Sequence, residues 1–308
     1  MVNILQQRNN EKELFSVQLI PPFPKKNMLI EVTNYCNHQC VFCANSKMKR
    51  KRGFIQPEFV YRILEEARGL GMEEVGFYAT GEPLMNPMIF DYIESAKRIG
   101  YKYVYITTNG ALLNEEKIKR LILTQLDSIK FSVNAGTRDT YRLMHKKDDF
   151  EKVVKNIIKF DLLRKEMDAA INLFVSYVVT SINVNEKDDL QQLLKDYVDE
   201  IFFSNVGNQG GQMYEENKSL LLDGVGSVQK MCYLPFNAVT ITHEGYFSAC
   251  CVDFENNLIV ADLNHGSLKA AWESEKLQHL RKMHMEKAYG NTICNNCMRG
   301  INENIISF

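Results

Sequence analysis

The stretch "MLIEVTNYCNHQCVFC" (residues 28–43) places three cysteines within eight residues, shortly after an apolar run. Residues 28–33 predict a short β-strand because they are rich in apolar and β-branched side chains. Cys36, Cys40 and Cys43 then follow at intervals of three and two residues. Thiols this close together on one loop indicate a metal site. Three ligands are one fewer than a closed tetrahedral site needs, so the fourth position is open.

His38 lies between the first two cysteines and is the obvious candidate for a fourth zinc ligand. Structural zinc sites usually separate their ligands by two to four residues, whereas a single residue separates His38 from each neighbouring cysteine. A cubane [4Fe–4S] cluster fits the spacing better, because its irons sit at separate corners and a loop can wrap around them. One iron is then left without a protein ligand.

Downstream, short β-rich runs alternate with segments of helical period. Val60, Ile63, Leu64, Ala67 and Leu70 form one such helical stripe. Repeated strand–helix units give right-handed parallel crossovers, so the predicted fold class is α/β. The predicted strands are residues 28–33, 73–79, 102–108, 127–133, 171–180 and 200–206. Six strands fall short of the eight of a closed barrel, which favours a partial (β/α)6 TIM-like barrel.

A C-x3-C-x2-C loop after the first strand of such a core resembles the radical S-adenosylmethionine (SAM) superfamily. "TGEP" (80–83) is similar to the family's Gly-Gly-Glu-Pro turn, with Thr80 where a glycine is usual. "TTNG" (107–110) and "SVNA" (132–135) end the third and fourth strands, as in the family. The resemblance implies a [4Fe–4S] cluster on Cys36, Cys40 and Cys43 with SAM on its open iron. It also implies cofactor contacts from Phe42, Gly81, Glu82, Asn109, Ser132 and Asn134.

A second cysteine group, spaced C-x17-C-C-x42-C-x2-C, lies beyond the predicted barrel. It resembles the Twitch domain of the SPASM/Twitch branch, in which a hairpin and a helix hold one auxiliary [4Fe–4S] cluster. The resemblance implies Cys232, Cys250, Cys294 and Cys297 as ligands, so the chain would carry two clusters in all. Cys251 is left over, either as a core residue or as a catalytic residue at the substrate pocket. A four-cysteine zinc site is the alternative for this group.

Composition sets the remaining expectations. Thirty-seven basic and 38 acidic residues give a net charge of -1, so no global field attracts nucleic acid or a membrane. With no signal-peptide pattern, we expect a cytoplasmic protein.

The predicted domains are an extension (1–27), a radical SAM core (28–211), a linker (212–231) and a Twitch/SPASM-like domain (232–308). The basic run 47–52 is expected to be a solvated loop, and His145 a surface or capping residue.

The resemblance to the SPASM/Twitch branch implies an enzyme. The leading hypothesis is a radical SAM oxidoreductase that oxidises an alcohol of a sugar, polyol or nucleotide-sugar, with the auxiliary cluster taking the second electron. It implies a carbohydrate-like substrate and an electron donor of the flavodoxin or ferredoxin type. The second hypothesis is modification of a ribosomally made peptide by thioether formation, crosslinking or epimerisation. The third is a non-enzymatic iron–sulfur or zinc protein.

Overall fold

The computed structural model describes residue 4 and residues 7–8, 15–222 and 231–298. Six parallel strands form the core in the spatial order β6-β5-β4-β3-β2-β1, which confirms the predicted α/β sheet. Each strand pairs with the next one along the chain, as repeated right-handed strand–helix units require. The strands are β1 (Met28–Ile30), β2 (Glu74–Gly76), β3 (Tyr103–Thr108), β4 (Ser128–Ser132), β5 (Asn172–Val179) and β6 (Glu200–Asn205).

Helices cover the outer face of this sheet. The predicted stripe of Val60, Ile63, Leu64 and Ala67 is buried on the first of them, while Leu70 caps its end. The helices between the strands are α1 (Pro57–Gly69), α2 (Ile89–Ile99), α3 (Glu115–Leu123), α4 (Arg138–His145), α5 (Phe150–Glu166) and α6 (Lys187–Leu194). Three short 3-10 helices lie at Ala44–Lys47, Pro83–Met85 and Val184–Glu186, and α7 (Tyr214–Lys218) follows β6.

Strand alternation separates the two faces of the sheet. Phe77 follows β2 and points outward, where its ring lies 6.2 Å from that of Tyr92 on α2. Tyr78, the next residue, points to the inner face, where its ring lies 5.9 Å from that of Tyr105 on β3. The inner face therefore carries polar aromatic side chains, while the outer face forms the apolar core with the helices.

The C-terminal cysteine segment extends the same sheet. The predicted hairpin is present as β7 (Val239–Ile241) and β8 (Tyr246–Ser248), followed by β9 (Ile259–Asp262). β7 pairs in parallel with β1, so the barrel sheet continues to nine strands within the described residues. The amphipathic pattern of residues 267–284 predicts one helix, but the structure divides it into α9 (Leu268–Trp272) and α10 (Glu275–Met285), because Ser274 caps the second part. The remaining helices of this segment are α8 (Leu234–Asn237) and α11 (Ile293–Met298).

The lead-in before β1 packs against the C-terminal helices. The indole Nε1 of Trp272 donates to the carbonyl of Pro21 at 2.8 Å, and Arg281 Nη1 donates to the carbonyl of Leu19 at 2.7 Å. These bonds hold the lead-in against α9 and α10. Among the residues described, no helix is long and apolar enough to cross a membrane.

Candidate active site

The loop that carries the first three cysteines is held by the end of α4. Gln39 N donates to His145 O at 3.2 Å, and Val41 N donates to Met144 O at 2.9 Å. The loop borders a cavity of about 190 Å³ at the carboxyl ends of β1 to β4. The cavity brings together every residue that the sequence assigned to SAM and its cluster: Cys36, Cys40, Phe42, Cys43, Gly81, Glu82, Asn109, Ser132 and Asn134.

The donor set of this cavity fits a metal cluster. All eight cysteines lie in the described part of the chain, and none forms a disulfide. Burial raises the pKa of the Cys36 thiol to about 12, and it also raises the pKa of Cys40 and Cys43. Three half-buried thiols on one wall are unfavourable as thiolates unless a cation compensates their charge. Iron bound to the three sulfurs supplies that compensation.

Glu82 is fixed by three donors, two from the end of β3 and one from its own turn. Its Oε1 accepts from Thr108 Oγ1 at 2.6 Å and from Leu84 N at 3.1 Å, and its Oε2 accepts from Asn109 N at 2.8 Å. Burial raises the pKa of Glu82, although these donors lower it in part. The carboxylate is therefore held rigidly beside the cavity, where a ligand cation would stabilise its charge.

Gly81 has no room for a side chain. A Cβ at this position would lie 2.3 Å from the carbonyl oxygen of Thr33 and 2.6 Å from that of Tyr35. Contacts to backbone atoms leave no flexible group that could move aside. The TGEP turn thus depends on glycine to approach the loop that leads into the cysteines.

The polar residues after β3 and at the end of β4 line the cavity, and each bonds to a neighbouring segment. Asn109 Nδ2 donates to Asn37 Oδ1 at 2.8 Å, which ties the end of β3 to the cysteine loop. Asn134 has a left-handed backbone (φ 56°), and its Oδ1 accepts from Val178 N at 2.7 Å. Ser132 Oγ lies 3.4 Å from Ser176 Oγ. The side-chain amides therefore shape the cavity wall and leave Ser132 at its surface.

The two histidines near the cysteine loop are buried. His145 was expected at the surface, but it is fully buried, with Nε2 donating to Val133 O at 2.6 Å and Nδ1 lying 3.3 Å from Cys40 Sγ. His38 Nε2 lies 3.2 Å from Oδ2 of Asp149, the residue that precedes α5. His38, Cys40 and His145 could together hold a single metal ion. That set uses Cys40, which the three-cysteine site also needs, so the two sites exclude one another.

The basic run 47–52 is solvated only in part: Lys47, Lys49 and Lys51 are exposed as expected, whereas Arg50 is not. The side chain of Arg50 is 5% exposed and bonds to both carboxylate oxygens of Glu31 at 2.9 and 2.8 Å and to Glu244 at 2.8 Å. His243 Nδ1 lies 2.8 Å from Glu31 Oε1. Although burial raises the pKa of Glu31, hydrogen bonds from His243, Arg50 and Thr80 and the Arg50 charge lower it to about 2. This buried ion network joins the cysteine loop, β1 and the turn after β7.

The second cysteine group surrounds a larger cavity of about 700 Å³. Burial raises the pKa of Cys232 to about 12, and the neighbouring thiols Cys297, Cys294 and Cys251 raise it further. Burial likewise raises the pKa of Cys297 to about 11. Five thiols line this cavity: Cys232, Cys250, Cys251, Cys294 and Cys297. They exceed the four ligands of one closed cluster, so the donor set fits such a cluster with one thiol left over.

The two cavities approach each other through Tyr78 and Cys251. Tyr78 lines the first cavity and Cys251 lines the second. Burial raises the pKa of Tyr78 to about 12, and the nearby Cys251 thiolate is the next largest cause. Lys130 on β4 adds its ammonium 5.9 Å from the centre of the Tyr78 ring. Tyr78 and Cys251 therefore lie close enough to interact electrostatically, which places the two cysteine cavities near each other.

Comparison with known proteins agrees with this geometry. The family model of the radical SAM superfamily matches residues 30–198, and that of an iron–sulfur cluster-binding domain, SPASM, matches residues 232–298. An uncharacterized protein of Methanocaldococcus jannaschii is 34% identical over 199 residues, which cover 64% of this chain and 62% of the relative. The alignment thus spans less than two thirds of that relative's length.

Two solved structures share the fold. BtrN, crystallised with SAM (AdoMet) and 2-DOIA, is 19% identical, with a TM-score of 0.60 over 91% of this chain and 95% of BtrN. SuiB of Streptococcus suis, bound to its precursor peptide SuiA, is 15% identical, with a TM-score of 0.68 over 89% of this chain and 69% of SuiB. At these identities the likeness concerns the fold alone.

Proposed function

Because the chain belongs to the radical SAM superfamily, we propose that it is an oxidoreductase that oxidises an alcohol of a sugar, polyol or nucleotide-sugar. Membership makes the chain an enzyme that uses SAM and a SAM-binding [4Fe–4S] cluster, and its SPASM domain adds auxiliary iron–sulfur binding. The non-enzymatic hypothesis and the zinc alternative for the tail are therefore set aside.

The proposed roles follow the two cavities. In the first cavity, Cys36, Cys40 and Cys43 hold the SAM-binding cluster, and SAM contacts come from Phe42, Gly81, Glu82, Asn109, Ser132 and Asn134. In the second, Cys232, Cys250, Cys294 and Cys297 hold the auxiliary cluster. When bound, SAM and its cluster supply a 5′-deoxyadenosyl radical, and the auxiliary cluster accepts an electron. The proposed reductant is a small flavodoxin- or ferredoxin-type protein.

The observation that carries the proposal is the proximity of the cavities at Tyr78 and Cys251. Oxidation of a secondary alcohol to a ketone removes a hydrogen atom from carbon, then one electron, and the hydroxyl proton. Removal of the hydrogen atom leaves a carbon radical on the substrate, so an electron acceptor must lie close to the substrate. A second thiol-lined site beside the first supports a reaction of this kind.

The polar side chain of Tyr78, where the two cavities approach each other, suits a hydroxylated substrate. Tyr78 stays protonated at neutral pH, since burial raises its pKa to about 12, so it can donate a hydrogen bond to a substrate oxygen. We place Cys251 against the substrate at this boundary, as a catalytic residue. Such a surface favours a small polyol over an extended apolar ligand.

The proposal is tested by anaerobic reconstitution, an iron count, and assay of 5′-deoxyadenosine after dithionite and SAM are added. About eight irons per chain and nucleoside release are expected. Sugars and polyols deuterated at the carbinol carbon should transfer deuterium into 5′-deoxyadenosine, with one SAM consumed per ketone formed. SAM regeneration during turnover would refute the oxidation.

Peptide modification is the competing outcome of the same assay. SuiB, which shares the fold, was crystallised with a precursor peptide. Deuterium transfer from labelled peptides, with none from carbinol-labelled sugars, would replace the carbohydrate proposal with this one. The two substrate classes are thus separated by where the abstracted hydrogen originates.

A further inference from the structure

His284 on α10 is a buried polar residue that the proposed reaction does not use. It is 1% exposed, and neither of its ring nitrogens has a hydrogen-bond partner among the described residues. A buried polar group without a hydrogen-bond partner destabilises the folded protein. An apolar side chain at this position would avoid that cost, so the imidazole requires a partner that the protein atoms do not provide.

The position of the ring indicates that partner. His284 lines the 700 Å³ cavity together with the five thiols of the second cysteine group. Its ring packs edge-on against Tyr289, with ring centres 5.1 Å apart. Tyr289 interacts electrostatically with Cys232, Cys294 and Cys297, which places the pair beside the cysteines. Burial lowers the pKa of His284 to about 4, so at neutral pH the ring carries one N–H and one lone pair.

We propose that His284 donates an N–H···S hydrogen bond to the auxiliary cluster or one of its thiolates, and that this bond raises the cluster's reduction potential. The inference rests on the proposed function for the assignment of Cys232, Cys250, Cys294 and Cys297 as ligands. Hydrogen bonds to cluster sulfurs disperse negative charge and so favour the reduced state. A higher potential suits an acceptor that takes an electron from a substrate radical. His284 is thus a positioning and tuning residue, because it touches the acceptor's sulfur and not the substrate.

The test is an anaerobic redox titration of the full chain with both clusters, followed by electron paramagnetic resonance. The signal that does not change when SAM is added reports the auxiliary cluster. His284→Phe keeps an aromatic ring and removes the donor. At the wild-type midpoint, the ratio of reduced to oxidised auxiliary cluster should fall about tenfold, which is ~59 mV for one electron. His284→Gln, which restores an N–H, should recover part of the shift, and His265→Phe, at an exposed histidine, should show none.

A second measurement reports the hydrogen bond itself. In deuterated water, the wild-type auxiliary cluster should show hyperfine coupling to one exchangeable deuteron that His284→Phe loses. If His284→Phe retains its iron and shows an unchanged reduction potential and hyperfine coupling, this inference is overturned while the proposed function stands. Strong coupling to a directly bound nitrogen would overturn it as well, by making His284 a ligand. If the wild-type protein shows no cluster signal that is insensitive to SAM, the assignment of the four auxiliary-cluster ligands is refuted, and the inference about His284 is refuted with it.

Discussion

Replacing Glu31 by glutamine should destabilise the protein through the buried ion network. Burial of the Glu31 carboxylate disfavours its negative charge. Hydrogen bonds from His243, Arg50 and Thr80 and the charge of Arg50 nevertheless lower the pKa of Glu31 from 4.5 to about 2. At 1.36 kcal/mol per pKa unit, this corresponds to roughly 3 kcal/mol in favour of the ionised carboxylate. Removing one partner of a buried pair costs about 3 to 5 kcal/mol, because the other charge stays buried. We therefore expect Glu31→Gln to lower the free energy of unfolding by about 3 kcal/mol.

The assay is anaerobic urea unfolding of the reconstituted protein, with the free energy obtained by linear extrapolation. The pKa of Glu31 is lower in the folded than in the unfolded state, so its contribution is complete above pH 4.5 and declines only towards pH 2. The difference between wild type and Glu31→Gln should therefore stay constant from pH 6 to 8.5. Glu31→Gln combined with Arg50→Met should cost less than the two single changes added, because the residues are in contact.

Glu115→Gln is the matched control. Side-chain hydrogen bonds from Lys119 and Lys159 also lower the pKa of Glu115 to about 2, but this carboxylate is exposed and screened by water. Its loss should leave the unfolding curve nearly unchanged. The reasoning is refuted if both variants unfold like the wild type, or if the Glu31→Gln difference fades between pH 6 and 8.5. The second result would mean that a group titrating near neutrality, and not the carboxylate, dominates the network.

Two further changes test the cavities. Gly81→Ala should reduce the affinity for SAM at least tenfold, because the added Cβ would lie 2.3 Å from Thr33 O and displace the TGEP turn. The affinity is measured from the change that SAM causes in the electron paramagnetic resonance spectrum of the first cluster. Cys250→Ser should lower the iron count from about eight to about four, while Cys251→Ser should keep about eight and lose substrate oxidation. The reverse pattern of iron loss would exchange the roles of these two cysteines.

Local sequence patterns predicted the barrel because each strand–helix unit carries its own signal. The buried face of α1 is predicted from the spacing of four residues alone, and the structure buries all of them: Val60, Ile63, Leu64 and Ala67. The pairing of β7 with β1 was not predicted. It joins Met28 to Val239 across most of the chain through strands of three residues, and such short strands carry no information about their partner.

Polar residues that become buried were the hardest to predict, because their partners are distant in sequence. Arg50 sits in a run of basic residues, which usually indicates a solvated surface, yet one of its acceptors, Glu244, lies 194 residues away. A usable signal existed for His284. With Leu277, Leu280 and Arg281 it follows the i, i+3, i+4, i+7 spacing of a buried helical face, and the structure buries all four.

Hydrogen bonds beside the buried network link the segments that follow the two cysteine sites. Lys49 N and Arg50 N both donate to the carboxylate of Glu255, at 2.7 and 3.0 Å. Arg50 follows the first cysteine group by seven residues, and Glu255 follows Cys250 by five. The cysteine loops are irregular segments, which on their own would not keep a constant separation. Transfer of an electron from a substrate in one cavity to an acceptor in the other requires a short and constant separation. The paired charges of Arg50, Glu31 and Glu244 therefore stabilise the arrangement on which the proposed oxidation depends.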